Sequence, residues 1–212
     1  MKQRIEIRSL KRRDKKELSR LLRRQEGYDE FFSEEKDADT LAKAVAERSL
    51  STCTFGEAAF VDGRMAGAIV GSRTKKRGVL SKIREKFYYL RLKMKKRNRD
   101  ALKCLTELEK MEKEMLEENR IPSSNLMSLF LMQRRYQNTQ ISETLLNHWE
   151  DCAKAHKNSY SYVVINGRRE PGYLDGYEKQ DEKYVMIQPK FRRFRFYKTL
   201  YRKNQFHLKE KM

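Results

Sequence analysis

Long hydrophobic runs are missing from this chain of 212 residues. It begins MKQRIEIRSLKRRDKK, which passes from methionine straight to charged residues, without the apolar stretch of a secretion signal. No later segment approaches the roughly 20 apolar residues that a membrane span requires. We therefore expect a soluble, cytoplasmic protein with no membrane partner.

Cysteine is also scarce. Cys53, Cys104 and Cys152 lie far apart, are odd in number and do not show the spacing of metal ligands, which fits a reducing compartment better than a disulfide framework. His148 and His156 fall on or beside the apolar face of one helix, with no Cys or Asp at metal spacing, and no Ser-His-Asp arrangement is evident. We predict free thiols and no metal.

Acidic residues are outnumbered. Lys and Arg total 49 against 30 Asp and Glu, for a formal net charge of +19. Such a field attracts anions over a long range, although it does not distinguish RNA, an acidic membrane and a phosphorylated cofactor.

The first half of the chain predicts strand, helix, helix and a hairpin. Alternation in residues 4–8 indicates a strand, Asp14 suits the start of a helix, and a second helix follows the acidic SEEKDAD stretch. In "EAAFVDGRMAGAIVGS", Asp62-Gly63 predicts a tight turn between strands at about 57–62 and 64–72. Gly67 and Gly71 mark either a bulge or close approach by another group, or they are chance small residues.

A basic helical segment follows, at about 75–121. Its first helix carries Ile83, Phe87, Leu90 and Met94 at helical spacing, and a second helix near 99–119 has acids in its later turns. We expect the two to close as a charge-complementary helical hairpin, serving as an acceptor lid or a dimer surface.

The second half predicts the strand "NLMSLFLM", a helix over 141–156 and the strand "SYSYVVIN". Pro171-Gly172 and Asp175-Gly176 indicate turns, and "KYVMIQP" reads as a short strand ended by Pro189. The basic, aromatic-rich "FRRFRFYKTLYRKNQF" is interpreted as a last helix.

This order of elements resembles the GCN5-related N-acetyltransferase (GNAT) superfamily. The similarity rests on "IEIRSLKRRDKKELSRLL", "EAAFVDGRMAGAIVGS" and "LFLMQRRYQNTQISETLL", and more weakly on "LYRKNQF". It implies a single domain over 1–212 of the α/β (α+β) class. We expect a mixed, mostly antiparallel central sheet flanked by helices, with the basic helical insertion between the third and fourth strands.

The resemblance also implies acetyl-CoA as cosubstrate and an amine as acceptor. The family's coenzyme loop matches Gln137, Gln140 and Ser142, where Gln140 replaces a glycine. Main-chain N–H groups and the helix dipole hold the pyrophosphate in such a loop, so side chains are partly dispensable. The expected contacts are the backbone at Leu131, Met132 and Gln133 and the loop residues Gln137, Asn138, Thr139, Gln140, Ile141 and Ser142.

Acetyl transfer needs a base for the ammonium and an acid for the leaving thiolate, and a tyrosine hydroxyl suits the second role. By the weak match, Tyr201 is the expected acid, with Tyr197 as its substitute. Glu57, Glu30 and Asp29 are candidate bases, and the aromatics of "YDEFF" either line an acceptor pocket or pack in the core.

Two other functions fit the sequence. Aromatics among basic residues in "KFRRFRFYKTLYRK" suit a single-stranded nucleic acid, since rings stack on bases and cations bind phosphates. Alternatively, Gln140 and Gln205 in place of glycines, and the early end of the chain, suit a catalytically inactive binding module. In that case "GYEKQDEKYVMIQP" supplies the final strands from before the last helix.

Overall fold

The computed structural model describes residues 4–72, 78–122, 125–156, 159–166, 174, 176–187 and 194–205. These residues form seven strands and six α-helices, whose bounds in chain order are as follows: β1 Ile5–Ser9, α1 Lys15–Gln25, α2 Tyr28–Phe31, α3 Glu35–Thr52, β2 Cys53–Val61, β3 Arg64–Ser72, α4 Val79–Lys93, α5 Arg99–Glu118, β4 Leu126–Met132, α6 Gln140–Ala155, β5 Tyr160–Asn166, β6 Glu178–Ile187 and β7 Phe194–Asn204. Helices α4 and α5 connect β3 to β4, as the sequence predicted.

The strands form one seven-stranded sheet in the order β1-β2-β3-β4-β5-β7-β6. Only β4 and β5 run parallel, and the other five neighbouring pairs are antiparallel. The predicted mixed, mostly antiparallel sheet flanked by helices is therefore confirmed.

Two apolar cores cover the two faces of this sheet. Alternate residues of β2 point to opposite faces, so Ala58 packs among α1, α2, α3 and α5, whereas Ala59 packs under α6. Each face of the central strands is thereby buried, which accounts for their nearly unbroken apolar sequences.

The β2–β3 hairpin has the predicted turn. Asp62 and Gly63 both adopt positive φ angles, of 51° and 76°, and Val61 pairs with Arg64 across the turn. Asp62 also accepts a hydrogen bond from the Arg4 N–H at 3.0 Å, which ties the start of β1 to the turn.

Both glycines of β3 are sites of close approach. A Cβ atom added to Gly71 would lie 1.9 Å from a ring carbon of Trp149, and one added to Gly67 would lie 2.4 Å from the methyl carbon of Met132. Sheet register also shifts beside both positions. The indole of α6 therefore lies directly on the backbone of β3.

The prediction of a last helix was wrong. Residues 194–204 form strand β7, which lies between β5 and β6 in the sheet. "GYEKQDEKYVMIQP" supplies β6, which is longer than the predicted short strand. Because β7 is an inner strand with both faces covered, its sequence lacks the clear alternation that identifies a half-buried strand. Pro171-Gly172, Asp175, Pro189 and Phe206 lie outside the described residues.

The insertion helices do not form the expected closed hairpin. Helix α4 packs mainly on α3, whereas α5 packs along β6. The apolar residues that suggested an inward face of α4 point to solvent, and the buried residues of α4 are Ser81, Glu85 and Leu92. Within the described part of the chain, no helix has both the length and the apolar character to cross a membrane.

Candidate functional site

A cleft of about 1720 Å³ lies between the first helices, the insertion and the middle of the sheet. Residues 128–131 of β4 and 164–166 of β5 line its sheet side, and the end of α1 and helices α2, α3, α4 and α5 form its walls. Clefts that bind ligands commonly have volumes of about 300–1,000 Å³, so this one is larger than a typical single-ligand site.

Divergence of the two parallel strands opens the cleft. Strands β4 and β5 pair only through Leu126–Tyr162 and Met127–Val163, although each continues well beyond these residues. Past that point the two strands no longer pair, and a gap lies between them. Leu131 lines this gap, whereas the N–H and side-chain amide of Gln133 bond to Ala66 and Met65 of β3.

The segment between β4 and α6 contains one residue in the left-handed conformation, and that residue is Asn138 with φ 58°. After glycine, asparagine is among the residues that best tolerate this conformation. Thr139 is extended and Gln140 begins the helix. The positive φ angle thus falls two residues before the position where the family keeps glycine, so a side chain at Gln140 imposes no backbone strain.

Half of the main-chain N–H groups in this loop are already bonded. The Gln137 N–H donates to the Arg134 carbonyl at 3.4 Å, and the Ser142 N–H donates to the Thr139 carbonyl at 2.9 Å. The Thr139 N–H donates to the Ser142 Oγ at 3.2 Å. Among the residues that the structure describes, the N–H groups of Asn138, Gln140 and Ile141 have no acceptor. Three donors therefore remain available at the positive end of α6.

Exposed polar and basic side chains surround these donors. Asn138 and Gln140 are exposed, as are Arg134 and Arg135 immediately before the loop. Gln137 lines the cleft and donates from its Nε2 to the Met132 carbonyl at 3.3 Å. The loop thus joins the inner cleft to a cationic outer surface.

The cleft contains a carboxylate that the sequence analysis did not name. Glu26, which follows the last residue of α1, accepts a hydrogen bond from the Asn166 side chain at the end of β5. Burial raises the pKa of the Glu26 carboxyl above its usual value of 4.5, the nearby Lys198 ammonium opposes this shift, and the charge of Glu112 adds to it. Lys198 itself forms an ion pair with Glu112 of α5.

Two tyrosines also line the cleft. Burial, and then the charge of Glu26, raise the pKa of Tyr28 well above its ordinary value, so its hydroxyl stays protonated at neutral pH. The Tyr89 hydroxyl accepts a hydrogen bond from Arg48 at 3.1 Å. Arg48 also bonds to Glu85 of α4 at 2.5 Å and to Glu109 of α5 at 3.2 Å, and so links both insertion helices to α3.

The predicted acids and bases lie elsewhere. Tyr201 is 2% exposed and packs under α6, Tyr197 contacts Tyr184 of β6 with ring centroids 5.5 Å apart, and neither tyrosine lines the cleft. Glu57 is hydrogen-bonded to His148 at 2.7 Å, and Asp29 is paired with Arg23. Glu30 is exposed, and none of these three acids lines the cleft.

One sequence signal for Glu26 was available. A negative charge at the carboxyl end of a helix opposes the helix dipole, so an acid placed there directly before Gly27 is unfavourable for α1 alone. An acid at a position that destabilises α1 suggests that Glu26 has a role outside the helix. Among the described residues no group of His, Cys, Asp or Glu has the arrangement of a metal site.

Comparisons with known proteins give structural matches only. No family model matches the chain, and no curated protein sequence matches it. Arylalkylamine N-acetyltransferase 2 from Aedes aegypti superposes with a TM-score of 0.57 at 12% identity, covering 95% of this chain and 99% of the mosquito protein. A probable acetyltransferase from Staphylococcus epidermidis gives a TM-score of 0.52 at 10% identity, covering 95% and 99% of the two chains. At these identities the matches establish the fold.

Proposed function

Because the chain has the GNAT fold, we propose that it is an acetyl-CoA-dependent N-acetyltransferase that acts on an amine. The observation that carries this proposal is the gap between β4 and β5 with open N–H donors at its outer end. A pyrophosphate at the start of α6 would accept from Asn138, Gln140 and Ile141, where the helix dipole favours negative charge. Arg134 and Arg135 would add charge-assisted hydrogen bonds to it.

The coenzyme's pantetheine arm would lie in the gap. Of the predicted coenzyme contacts, Leu131 and Gln137 are supported by their positions along the cleft. Met132 and Gln133 are supported less, because the Met132 carbonyl accepts from Gln137 and Gln133 bonds to β3. The amine acceptor would enter from the side of α2 and the insertion helices.

Glu26 is the base in this proposal. An ammonium acceptor must lose a proton before its nitrogen attacks the acetyl carbonyl, and a carboxylate with a raised pKa takes that proton more readily. Asn166 fixes the orientation of the carboxylate. The C–N bond forms as the C–S bond breaks, and the departing thiolate takes a proton.

Tyr28 is the proposed donor of that proton, because it lines the cleft, lies near the charge of Glu26 and carries a hydroxyl proton at neutral pH. The resemblance alone supports Tyr201 and Tyr197 in this role. Thiol release should be compared in Tyr28→Phe, Tyr197→Phe and Tyr201→Phe. We expect kcat to fall about a hundredfold in Tyr28→Phe and to stay unchanged in Tyr197→Phe. A loss confined to Tyr201→Phe, with an unchanged melting temperature, would restore the assignment based on resemblance.

The first experiment is ligand binding. Acetyl-CoA should raise the melting temperature, because a ligand that binds only the folded state stabilises it by mass action. Adenosine at the same concentration is the control, since it lacks the pyrophosphate. No shift at about millimolar acetyl-CoA, a concentration near the upper end of ordinary KM values, would favour a binding module. Strong binding of single-stranded RNA near physiological salt, without such a shift, would favour the nucleic-acid function.

A further inference from the structure

The outer face of α4, together with the C-cap residue that follows it, is an exposed apolar surface comprising Val79, Leu80, Ile83, Phe87, Leu90 and the C-cap Met94. Their exposed fractions range from 56% to 78%, and they are six of the nine large hydrophobic residues that are exposed in the described part of the chain. Scattered exposed apolar residues are ordinary, but six on one helix form a contiguous patch, and such patches mark interaction sites.

The patch has a sharply defined position around the helix. Each residue advances by about 100°, so the six side chains fall within an arc of about 100°. The buried residues Ser81, Glu85 and Leu92 lie on the opposite side, against α3. Helix α4 is therefore held by its polar side and presents its apolar side outward, the reverse of an ordinary surface helix.

Basic residues border the apolar arc on both sides. Lys82, Lys86 and Lys93 lie along one edge, and Arg84 and Arg91 along the other, all of them exposed. Apart from a 3.8 Å contact between Arg84 and Glu47, these five have no ion-pair partner among the described residues. The single acid of α4, Glu85, is buried and bonded to Arg48.

This distribution of charge selects the occupant. A second copy of the patch would bring like charges together along both edges, in a molecule whose formal net charge is already +19. A nucleic acid would satisfy the cations but set phosphates against the apolar centre. An anionic lipid surface satisfies both parts, because the apolar arc enters the acyl boundary while the flanking Lys and Arg side chains reach the headgroups.

We propose that the outer face of α4 docks the protein onto anionic membrane surfaces, with the helix lying in the plane of the interface. This association requires no membrane span, and it is independent of the proposed acetyl transfer. Ile83, Phe87 and Leu90 also line the cleft, so a docked molecule would hold this wall of the cleft next to the lipid.

Vesicle sedimentation tests the proposal with the full chain. We expect binding to vesicles of phosphatidylcholine with about 30 mol% phosphatidylserine, weak binding to phosphatidylcholine alone, and a loss of binding at about 0.5 M NaCl. The double variant Phe87→Ser/Leu90→Ser should bind the anionic vesicles at least about tenfold more weakly, because it removes apolar area from the patch centre. Met186→Ser, at an exposed position of β6, is the matched control and should bind as the wild type does.

A fluorescent reporter keeps the test independent of the folding of the double variant. The one native tryptophan, Trp149, is 3% exposed, so its emission should not respond to vesicles. The variant Phe87→Trp should shift its emission to the blue with anionic vesicles only. The proposal is overturned if wild type fails to sediment with anionic vesicles, if the double variant binds them as tightly as wild type, or if the emission of the Phe87→Trp variant does not move. Self-association or RNA binding without vesicle binding would also assign the patch to another partner.

Discussion

Asn138 carries the backbone conformation on which the loop before α6 depends. Because the left-handed φ angle falls there, Gln140 can occupy the first helical position with ordinary geometry. The sequence permitted the prediction that main-chain N–H donors remain although Gln140 replaces the glycine of the family's loop. It did not locate the strained residue, because a single Asn in a polar turn has no distinguishing signal.

Gln140 offers a test that changes one donor and little else. Proline is favoured at the first position of a helix, and the preceding Thr139 has the extended conformation that a following proline demands, with φ −119° and ψ 164°. Gln140→Pro therefore removes one unpaired N–H without breaking α6. We expect the Kd for acetyl-CoA, measured by calorimetry, to rise about tenfold or more, the usual loss for one hydrogen bond to a charged group.

Gln140→Ala is the matched control, because it deletes the side chain and retains the N–H. It should bind acetyl-CoA at least as tightly as wild type. Weak binding by the alanine variant, with normal binding by the proline variant, would mean that the glutamine amide rather than the backbone contacts the coenzyme.

Glu26 is expected to govern the pH dependence of both rate and stability. As a base it must be ionised, so kcat should fall as pH decreases through its raised pKa. The free energy of unfolding changes with pH in the opposite direction to kcat. The unfolded carboxyl ionises first as pH rises, so the native state binds more protons between the two pKa values, and stability decreases with rising pH in that window.

Glu26→Gln should therefore lower kcat by about 10²–10⁴-fold and abolish the acidic limb of its pH profile, while acetyl-CoA still binds. Its free energy of unfolding should decline less than that of wild type as pH rises above 4.5. Glu30→Gln, an exposed acid four residues away, is the control for rate and stability. An unchanged rate in Glu26→Gln would exclude this carboxylate as the base.

At the scale of elements, sequence patterns identified most strands and helices but not which way each one faces. The spacing of Ile83, Phe87 and Leu90 correctly predicted a helix, yet that face is exposed, because α3 binds α4 through Arg48 and Glu85 instead. The sequence of β7 was interpreted as a helix because Lys198, Thr199 and Leu200 blur its alternation. Its content of Phe, Tyr and Thr nonetheless favoured a strand. Burial on two faces is a tertiary property that a local pattern does not contain.

The packing of α6 on β3 depends on one position without a side chain. Since a Cβ atom at Gly71 would lie 1.9 Å from the Trp149 ring, Gly71→Ala must displace the indole from the core. We expect a loss of about 1–3 kcal/mol in the free energy of unfolding, the ordinary cost of overpacking. Urea titration measures the change.

Gly78→Ala is the control for that substitution. Its added Cβ atom would meet nothing within 4 Å, and its φ angle is −63°, so any residue fits. A Gly71→Ala protein as stable as this control would show that the α6–β3 contact is looser than the geometry indicates.

At the scale of the whole molecule, the excess of cations and the open cleft act together. In the proposed function, the gap between β4 and β5 holds the extended ligand, whereas the formal charge of +19 raises the rate at which an anionic ligand arrives. Composition alone predicted the second effect. The position of the gap required the register of the sheet, because neither the sequence of β4 nor that of β5 shows where their pairing ends.

Electrostatic steering makes the salt dependence of coenzyme binding the test at this scale. The screening length shortens from about 30 Å at 0.01 M salt to about 8 Å at 0.15 M, so the association rate constant of acetyl-CoA, followed by stopped flow, should fall about tenfold or more over that range. The dissociation rate should change less, because it depends on contacts within the site. Dephospho-CoA carries fewer negative charges than CoA. Its association rate constant should therefore decline less steeply with added salt than that of CoA. Equal salt slopes for both would mean that contacts at the loop, rather than the field of the whole molecule, control capture of the ligand.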